Sequence, residues 1–183
     1  MPELIEPTQD RHRAWLAFRD EWGGEEMHGT GVSAKYDVNS AEGFAAWVAY
    51  LRRQGDPSVP VDEGRVHADY WWIVEDGVTE DGETEDGEIV GAITLRHELN
   101  AFLAEAGGHI GYGVRPSARQ RGIAGWALAE VLRRARERGM DRVLITCDDA
   151  NVGSARTIER NGGVLEDVRD TALGRTRRYW VNL

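Results

Sequence analysis

A single cysteine, Cys147, in 183 residues excludes an internal disulfide and any metal site built from several thiolates. Its default role is that of a small buried hydrophobe. No stretch approaches the ~18 consecutive apolar residues of a membrane span. The start, Met1 to Glu6, lacks a basic region followed by an apolar run, so the expectation is a chain without a leader, working in the cytoplasm and away from membranes. Lysine is nearly absent: Lys35 stands alone and arginine carries the remaining basic charge, a compositional bias. No Gly-x-x-x-x-Gly-Lys-Ser/Thr occurs, which excludes a P-loop, and Gly111-Tyr112-Gly113 fails as a dinucleotide fingerprint because the third glycine would fall at Pro116. Repeats and low-complexity linkers are missing as well. One domain spanning 1–183 is expected, and at that size it buries about 70% of its unfolded surface.

The net charge of −10 argues against nucleic-acid binding, but the charge is unevenly spread. Between Arg115 and Arg142 lie eight arginines against Glu130, Glu137 and Asp141, a local excess that suits an anionic ligand on an acidic body. Most of these arginines fit a solvated helix face with pairs such as Glu130/Arg134; Arg119 and Arg121 are the candidates for anion binding. The opposite extreme runs from Glu75 to Glu88, with eight acids, no base, and Glu-Asp-Gly three times at five-residue spacing. It reads as a solvated hairpin tip. A calcium loop fits poorly, because one started at Asp81 has Gly87 seventh instead of sixth and Ala92 where a closing Glu is needed. The remaining alternative is an acidic lure for a cationic amine, shared with Glu25 and Glu26.

Thr8 can cap a helix carrying Trp15, Phe18 and Trp22, and Ser40 another with Phe44, Trp47, Val48 and Leu51 at helical spacing. Both stripes read as core. The glycine-rich segment between them, with His28, reads as a loop, as does Gln54 to Asp69. Strands follow at Tyr70–Val74 and Glu88–Leu95, then around His109 to Val114, where Pro116 forbids further pairing. A helix over about Gly122 to Arg138 ends at Gly139, and the apolar run Arg142–Cys147 reads as an interior strand. Strand, crossover helix and buried strand imply a right-handed parallel pair. A helix from Asn151 to Asn161, strands at Val164–Arg169 and Thr176–Val181, and a turn at Leu173-Gly174 complete a mixed α/β fold: a mainly antiparallel sheet with one parallel pair, flanked by helices.

The loop after the His109 strand is the most informative feature. Glycines at 122 and 125 let backbone N–H groups reach an anion without Cβ obstruction, and the first turn of the next helix adds free N–H groups and its dipole. Arg119-Gln120-Arg121-Gly122-Ile123-Ala124 is similar to the Arg/Gln-x-x-Gly-x-Gly/Ala loop of the GNAT superfamily, the acyl-CoA-dependent N-acetyltransferases. Asn151-Val152-Gly153-Ser154 and the helix closing at Gly162 resemble its second signature. The resemblance runs from about Tyr70 to the C-terminus and is closest to bacterial predicted acetyltransferases with an Arg-His-Glu-Leu-Asn segment like residues 96 to 100.

That resemblance implies an acetyl-CoA cosubstrate, an amine acceptor and no metal; a homodimer is compatible with it. It further implies that the strand at Tyr112-Gly113-Val114 splays from the Val143 strand to pair with pantetheine. The amides of Arg119, Gln120, Arg121, Gly122, Ile123, Ala124 and Gly125 would hold the pyrophosphate, with Asn151 and Ser154 also at the cofactor. One N–H of the splayed strand could bind the thioester oxygen, although the sequence does not say which. Transfer would be direct, from thioester to amine. The tyrosine that many members place seven residues after the asparagine is Ile158 here, which leaves Tyr112, Ser154 and Cys147 as substitute acids and motivates a rival reading, a catalytically silent acyl-CoA-binding module. For a base, His97 and Glu98 follow the second strand, with His109 third. Asn151 also reads as a plain helix cap.

Overall fold

The computed structural model describes residues 1–78 and 84–183, with side chains described outside 76–86. Among the described residues seven strands form one sheet in the order β1-β2-β3-β4-β5-β7-β6. They are β1 (Glu3–Ile5), β2 (Ala68–Val78), β3 (Thr84–Arg96), β4 (Ile110–Val114), β5 (Arg142–Asp148), β6 (Val164–Thr171) and β7 (Gly174–Asn182). Every neighbouring pair is antiparallel except β4 and β5. The mixed, mainly antiparallel sheet with one parallel pair is thus the fold that the alternation of strands and helices implies.

Four α-helices flank the sheet among the described residues: α1 (His12–Asp20), α2 (Ala41–Gln54), α3 (Ile123–Glu137) and α4 (Val152–Arg160). On one face α1 and α2 bury Trp15, Phe18, Phe44 and Trp47 against Trp72 of β2, a cluster in which aromatic packing adds about 0.5–1.5 kcal/mol per pair beyond area burial. On the other, α3 and α4 bury Ala127, Leu128, Val131 and Ile158 on Ile93, Ile110, Val143 and Tyr179. Ile158 is fully buried there, so its position belongs to packing. Ser40 caps α2 as the sequence suggests, its Oγ accepting from the Gly43 N–H at 3.1 Å. Thr8 instead caps a 3-10 turn over Gln9–Arg11 that leads into α1, and Trp22 lies beyond the helix end.

Several elements depart from the sequence reading. β1 is too short to show alternation, and the π-helical turn over Leu103–Gly107, which Asn100 caps and Gly108 ends, is too short to show helical periodicity. β2 and β3 extend into the acidic run, to Val78 and from Thr84; the tip itself, and with it the lure and calcium readings, lies outside the described residues. The Glu130/Arg134 pair does not form. Arg133 takes both Glu130 (3.1 Å) and Glu137, while Arg134 lies over the Trp71 ring at 4.9 Å, because its helical position faces the sheet.

Candidate active site

The site grows from one feature of the ladder: β4 and β5 pair through a single residue pair, Ile110 with Ile145, and then part. At the vertex the buried His109 ring ties the two strands. Its Nδ1 accepts from the Leu144 N–H at 2.8 Å, while the His109 backbone N–H donates to Leu144 O at 2.7 Å. Burial, then the nearby Arg96 charge, push His109 down to about 4, so it stays neutral and its Nδ1 is occupied.

Register then decides which backbone groups face the gap. The Arg115 N–H donates to Val90 O (3.0 Å) and the Arg96 N–H to His109 O (2.7 Å), and β3–β4 pairing is unshifted from Gly91/Val114 to Leu95/Ile110. In an antiparallel ladder the residues that exchange bonds alternate with those that do not. Gly111 and Gly113 are therefore bonded to β3, whereas Tyr112 and Val114 turn their N–H and C=O groups toward β5, where no strand meets them. Val114 O accepts from Arg119 Nε at 3.1 Å; the ladder pairs neither Tyr112 nor Val114 with a residue of β5.

Past β4, a 3-10 turn over Pro116–Ala118 leads to Gln120 and Gly122, both with positive φ (63° and 81°), and Gly122 is the N-cap of α3. The first helical bond is accepted by Gly122 O, from the Trp126 N–H, so the N–H groups of residues 120 to 125 have no acceptor among the described residues. Nothing lies within 4 Å of where a Cβ would stand on Gly122. Successive N–H groups in alternating conformations, ahead of a helix N-terminus and facing open space, make an anion seat. These features fit the pyrophosphate of a coenzyme A. The two arginines of the loop are not free, however: Arg119 holds Glu25 at 3.2 Å and lies over the Trp22 ring, and Arg121 holds Glu75 at 2.9 Å. Glu88 pairs with Arg115. Three of the acids counted toward a cationic lure are thus neutralised beside the cofactor loop.

On the α3/α4 side of the gap the substitute acids converge. The Tyr112 phenol meets Ser154 Oγ at 2.8 Å, across 42 residues of chain. Cys147 lies beside them: burial pushes its thiol up, the Ser154 hydroxyl opposes that, and the thiol in turn acts on the Tyr112 phenol. Burial pushes Tyr112 up to about 12, which keeps the phenol protonated and able to donate. Asn151 caps α4, its Oδ1 accepting from the Ser154 N–H at 3.0 Å, and thereby sets the serine facing Tyr112.

On the opposite face, the loop after α1 lies flat on the strands. A Cβ on Gly29 would stand 2.7 Å from both Ala92 O and Gly111 O, so only glycine lets the loop approach so closely. His97 and Glu98 are not brought to the gap. His97 Nε2 lies 3.0 Å from Asp69 Oδ2, a carboxylate it shares with Arg138 at the far end of α3, and its ring stacks on His67; Glu98 is exposed. What the sequence reading missed is Arg96, whose Nη2 comes within 3.6 Å of the Cβ position of Gly111. Two cavities, of about 280 and 340 Å3, lie between α2 and the chain that leads into α1 and share no residue with the gap between β4 and β5. Among the described residues no three His, Cys, Asp or Glu side chains are grouped to hold a metal, and no helix is long and apolar enough to cross a membrane.

A sheet parted at its one parallel pair, with strand amides turned into the gap and a helix-capped anion seat beyond it, is the frame of an acyltransferase. The model of the acetyltransferase (GNAT) family matches residues 6–163, and the chain belongs to that family. Its fold is similar to that of the microcin C7 self-immunity acetyltransferase MccE, solved with acetyl-CoA and AMP (15% identity, TM-score 0.68, covering 100% of this chain and 92% of that one). The RimL ribosomal L7/L12 alpha-N-protein acetyltransferase in complex with coenzyme A is comparable (17%, 0.68, 100% and 94%). So is the ribosomal-protein-S5-alanine acetyltransferase from Vibrio fischeri (16%, 0.66, 99% and 91%). At these identities the likeness concerns the fold. No curated protein matches the chain significantly.

Proposed function

We propose that the protein is an N-acetyltransferase that moves the acetyl group of acetyl-CoA directly to a primary amine. What carries the reading is the double placement of Tyr112: its N–H faces the gap between β4 and β5, and its neutral phenol is held by Ser154 of α4. The amides of residues 120 to 125 would hold the pyrophosphate, and the gap-facing backbone of Tyr112 and Val114 the pantetheine arm that passes Gly113, with Asn151 and Ser154 bordering it. Acetyl-CoA supplies the activated acyl group; the chain supplies position and charge stabilisation. The unprotonated amine nitrogen attacks the acyl carbon, the C–N bond forms and the C–S bond breaks. The Tyr112 N–H meets the carbonyl oxygen as it gains charge. The Tyr112 phenol gives its proton to the departing sulfur and recovers one from solvent through Ser154, and the amine releases its surplus proton to solvent. Tyr112 thus replaces the tyrosine absent at Ile158. Positioning alone can account for much of the rate.

The same reading takes residues 1–183 as one catalytic domain working in the cytoplasm without a resident metal. The test is coenzyme A release from acetyl-CoA in the presence of a broad panel of amines and peptides, with product masses. Acetylated amine and stoichiometric free thiol are expected. Tight acetyl-CoA binding with no thiol release above hydrolysis, for any member, would favour the silent binding module.

A further inference from the structure

The Arg-His-Glu-Leu-Asn segment at 96 to 100 has no part in the chemistry above, yet Arg96 and Asn100 fasten the π-helical turn that leads into β4. Asn100 Oδ1 accepts from the Leu103 N–H (2.9 Å) and its Nδ2 donates to Gly64 O (3.0 Å), which starts the π-helical turn at 103–107. Arg96 closes that turn, Nη1 donating to Gly107 O and Gly108 O at 3.0 Å each. This structural duty uses one guanidinium nitrogen of three. Nε and Nη2 have no acceptor among the described residues, and Nη2 lies beside Gly111, one residue before the gap-facing Tyr112 N–H and on the face opposite the Tyr112 phenol.

The electrostatic setting is equally unusual. Arg115 and Arg178, whose side chains are also largely buried, each hold two carboxylates. Arg96 holds none: the charged or titratable groups that act on it are Tyr70 and the like charge of Arg65. Burial is the main influence disfavouring its charged form, with Arg65 adding to it. A desolvated guanidinium with its Nε–Nη2 edge free presents two parallel donors, the geometry that a carboxylate accepts in bidentate fashion. Because Nη2 stands beside Gly111, next to the residue whose N–H faces the gap, a carboxylate held there would leave a nitrogen a few bonds away within reach of the gap.

We propose that Arg96 reads a carboxylate on the acceptor, so that the substrate is an amine with a carboxylate a few bonds from its nitrogen. The proposal rests on the transferase reading, and two sources share the chemistry: a free amino acid, or a peptide whose N-terminal residue is acidic. The amine itself still arrives as a cation and loses its proton before attack.

The test compares matched acceptors with acetyl-CoA: alanine against alaninamide, glutamate against glutamine, and peptides beginning with Asp against the same peptides beginning with Asn. The wild type is expected to favour the carboxylate member of at least one set by about 10- to 100-fold in kcat/KM, mostly through KM, as for a charge-assisted bond. Which set responds separates the free amino acid from the peptide. Arg96→Gln should bring that ratio to within about threefold of one, and Arg96→Lys, which retains a donor for the Gly107 and Gly108 carbonyls, should give an intermediate ratio. Coenzyme A titration of each variant checks that the cleft is folded. No preference in the wild type, or a preference that survives in both variants, overturns the proposal. If no amine turns over, binding of N-acetylalanine and N-acetylalaninamide to the coenzyme A-loaded protein decides. Selective binding of the acid, lost in Arg96→Gln, supports the carboxylate site while the transferase reading falls; equal or absent binding overturns both.

Discussion

Gly122 and Gly139 bracket α3 and offer a matched test of the anion seat. Both have left-handed φ, 81° and 87°, and neither has an atom within 4 Å of its Cβ position. Replacing either with glutamate therefore imposes the same backbone strain, about 1–2 kcal/mol, without a clash. In a chain of this length each kcal/mol lowers Tm by about 2–4 °C, so both variants should melt a few degrees early and by similar amounts. They differ only in what the new charge faces. At Gly122 the carboxylate stands before the free amides of residues 120 to 125; a charge about 6 Å from a phosphate at an effective dielectric of about 20 repels it by roughly 3 kcal/mol, or more than 100-fold in affinity. At Gly139 the charge sits at the other end of a 15-residue helix, about 22 Å away at ~1.5 Å per residue, beyond the ~10 Å screening length at 0.1 M salt. Calorimetric titration with coenzyme A at that salt should give a Kd raised at least about 100-fold in Gly122→Glu and changed by less than about twofold in Gly139→Glu. Equal affinities in two folded variants would refute the placement of the pyrophosphate.

Tyr112→Phe should lower kcat about 10²-fold, the lower end for a lost general acid, with little change in coenzyme A affinity. Because burial holds the wild-type phenol at about 12, turnover should show no falling alkaline limb up to pH ~10; a fall centred near 9, or an unaltered kcat in the variant, would remove Tyr112 as the proton donor. His109 governs a separate pH effect. Its folded pKa of about 4 lies below its ordinary 6.5, so the unfolded chain binds the extra proton between these values. Its contribution is full above about 6.5 and is lost as pH falls toward 4, on the order of 3 kcal/mol in all and roughly 2 by pH 5. Urea unfolding at pH 7.5 and 5 should show that loss in the wild type and a smaller one in His109→Gln, whose amide oxygen can still accept from Leu144. An identical pH dependence in both proteins would assign the acid sensitivity to other groups.

Much of the fold was legible because its signals are local. Ser40 and Asn151 announce α2 and α4 by capping their own first turns, Gly122 and Gly139 mark the ends of α3, and the apolar run at 143–145 has no polar alternation because both faces are covered. The Arg119–Ala124 loop could be recognised for the same reason: its shape depends on φ angles that only a few residue types adopt. The alternation of strand and crossover helix was enough to imply the parallel pair.

The site chemistry depended on partners distant in the chain, which no local pattern encodes. Whether the N–H of Tyr112 or of Gly113 faces the gap turns on a register that one residue of slip would reverse, and that register is fixed by β3. Ser154 comes to the Tyr112 phenol through the packing of α4, and Glu25 and Glu75 come to the loop arginines from before β2 and from within it. His97, next to Arg96 in sequence, turns to Asp69 because alternate strand residues face opposite sides, and the same alternation places Arg96 beside Gly111. The sequence by itself determined the family, the elements and the anion loop; the tertiary structure decided which backbone groups and side chains share the cleft, because pairing register and sheet face are properties of the assembled strands.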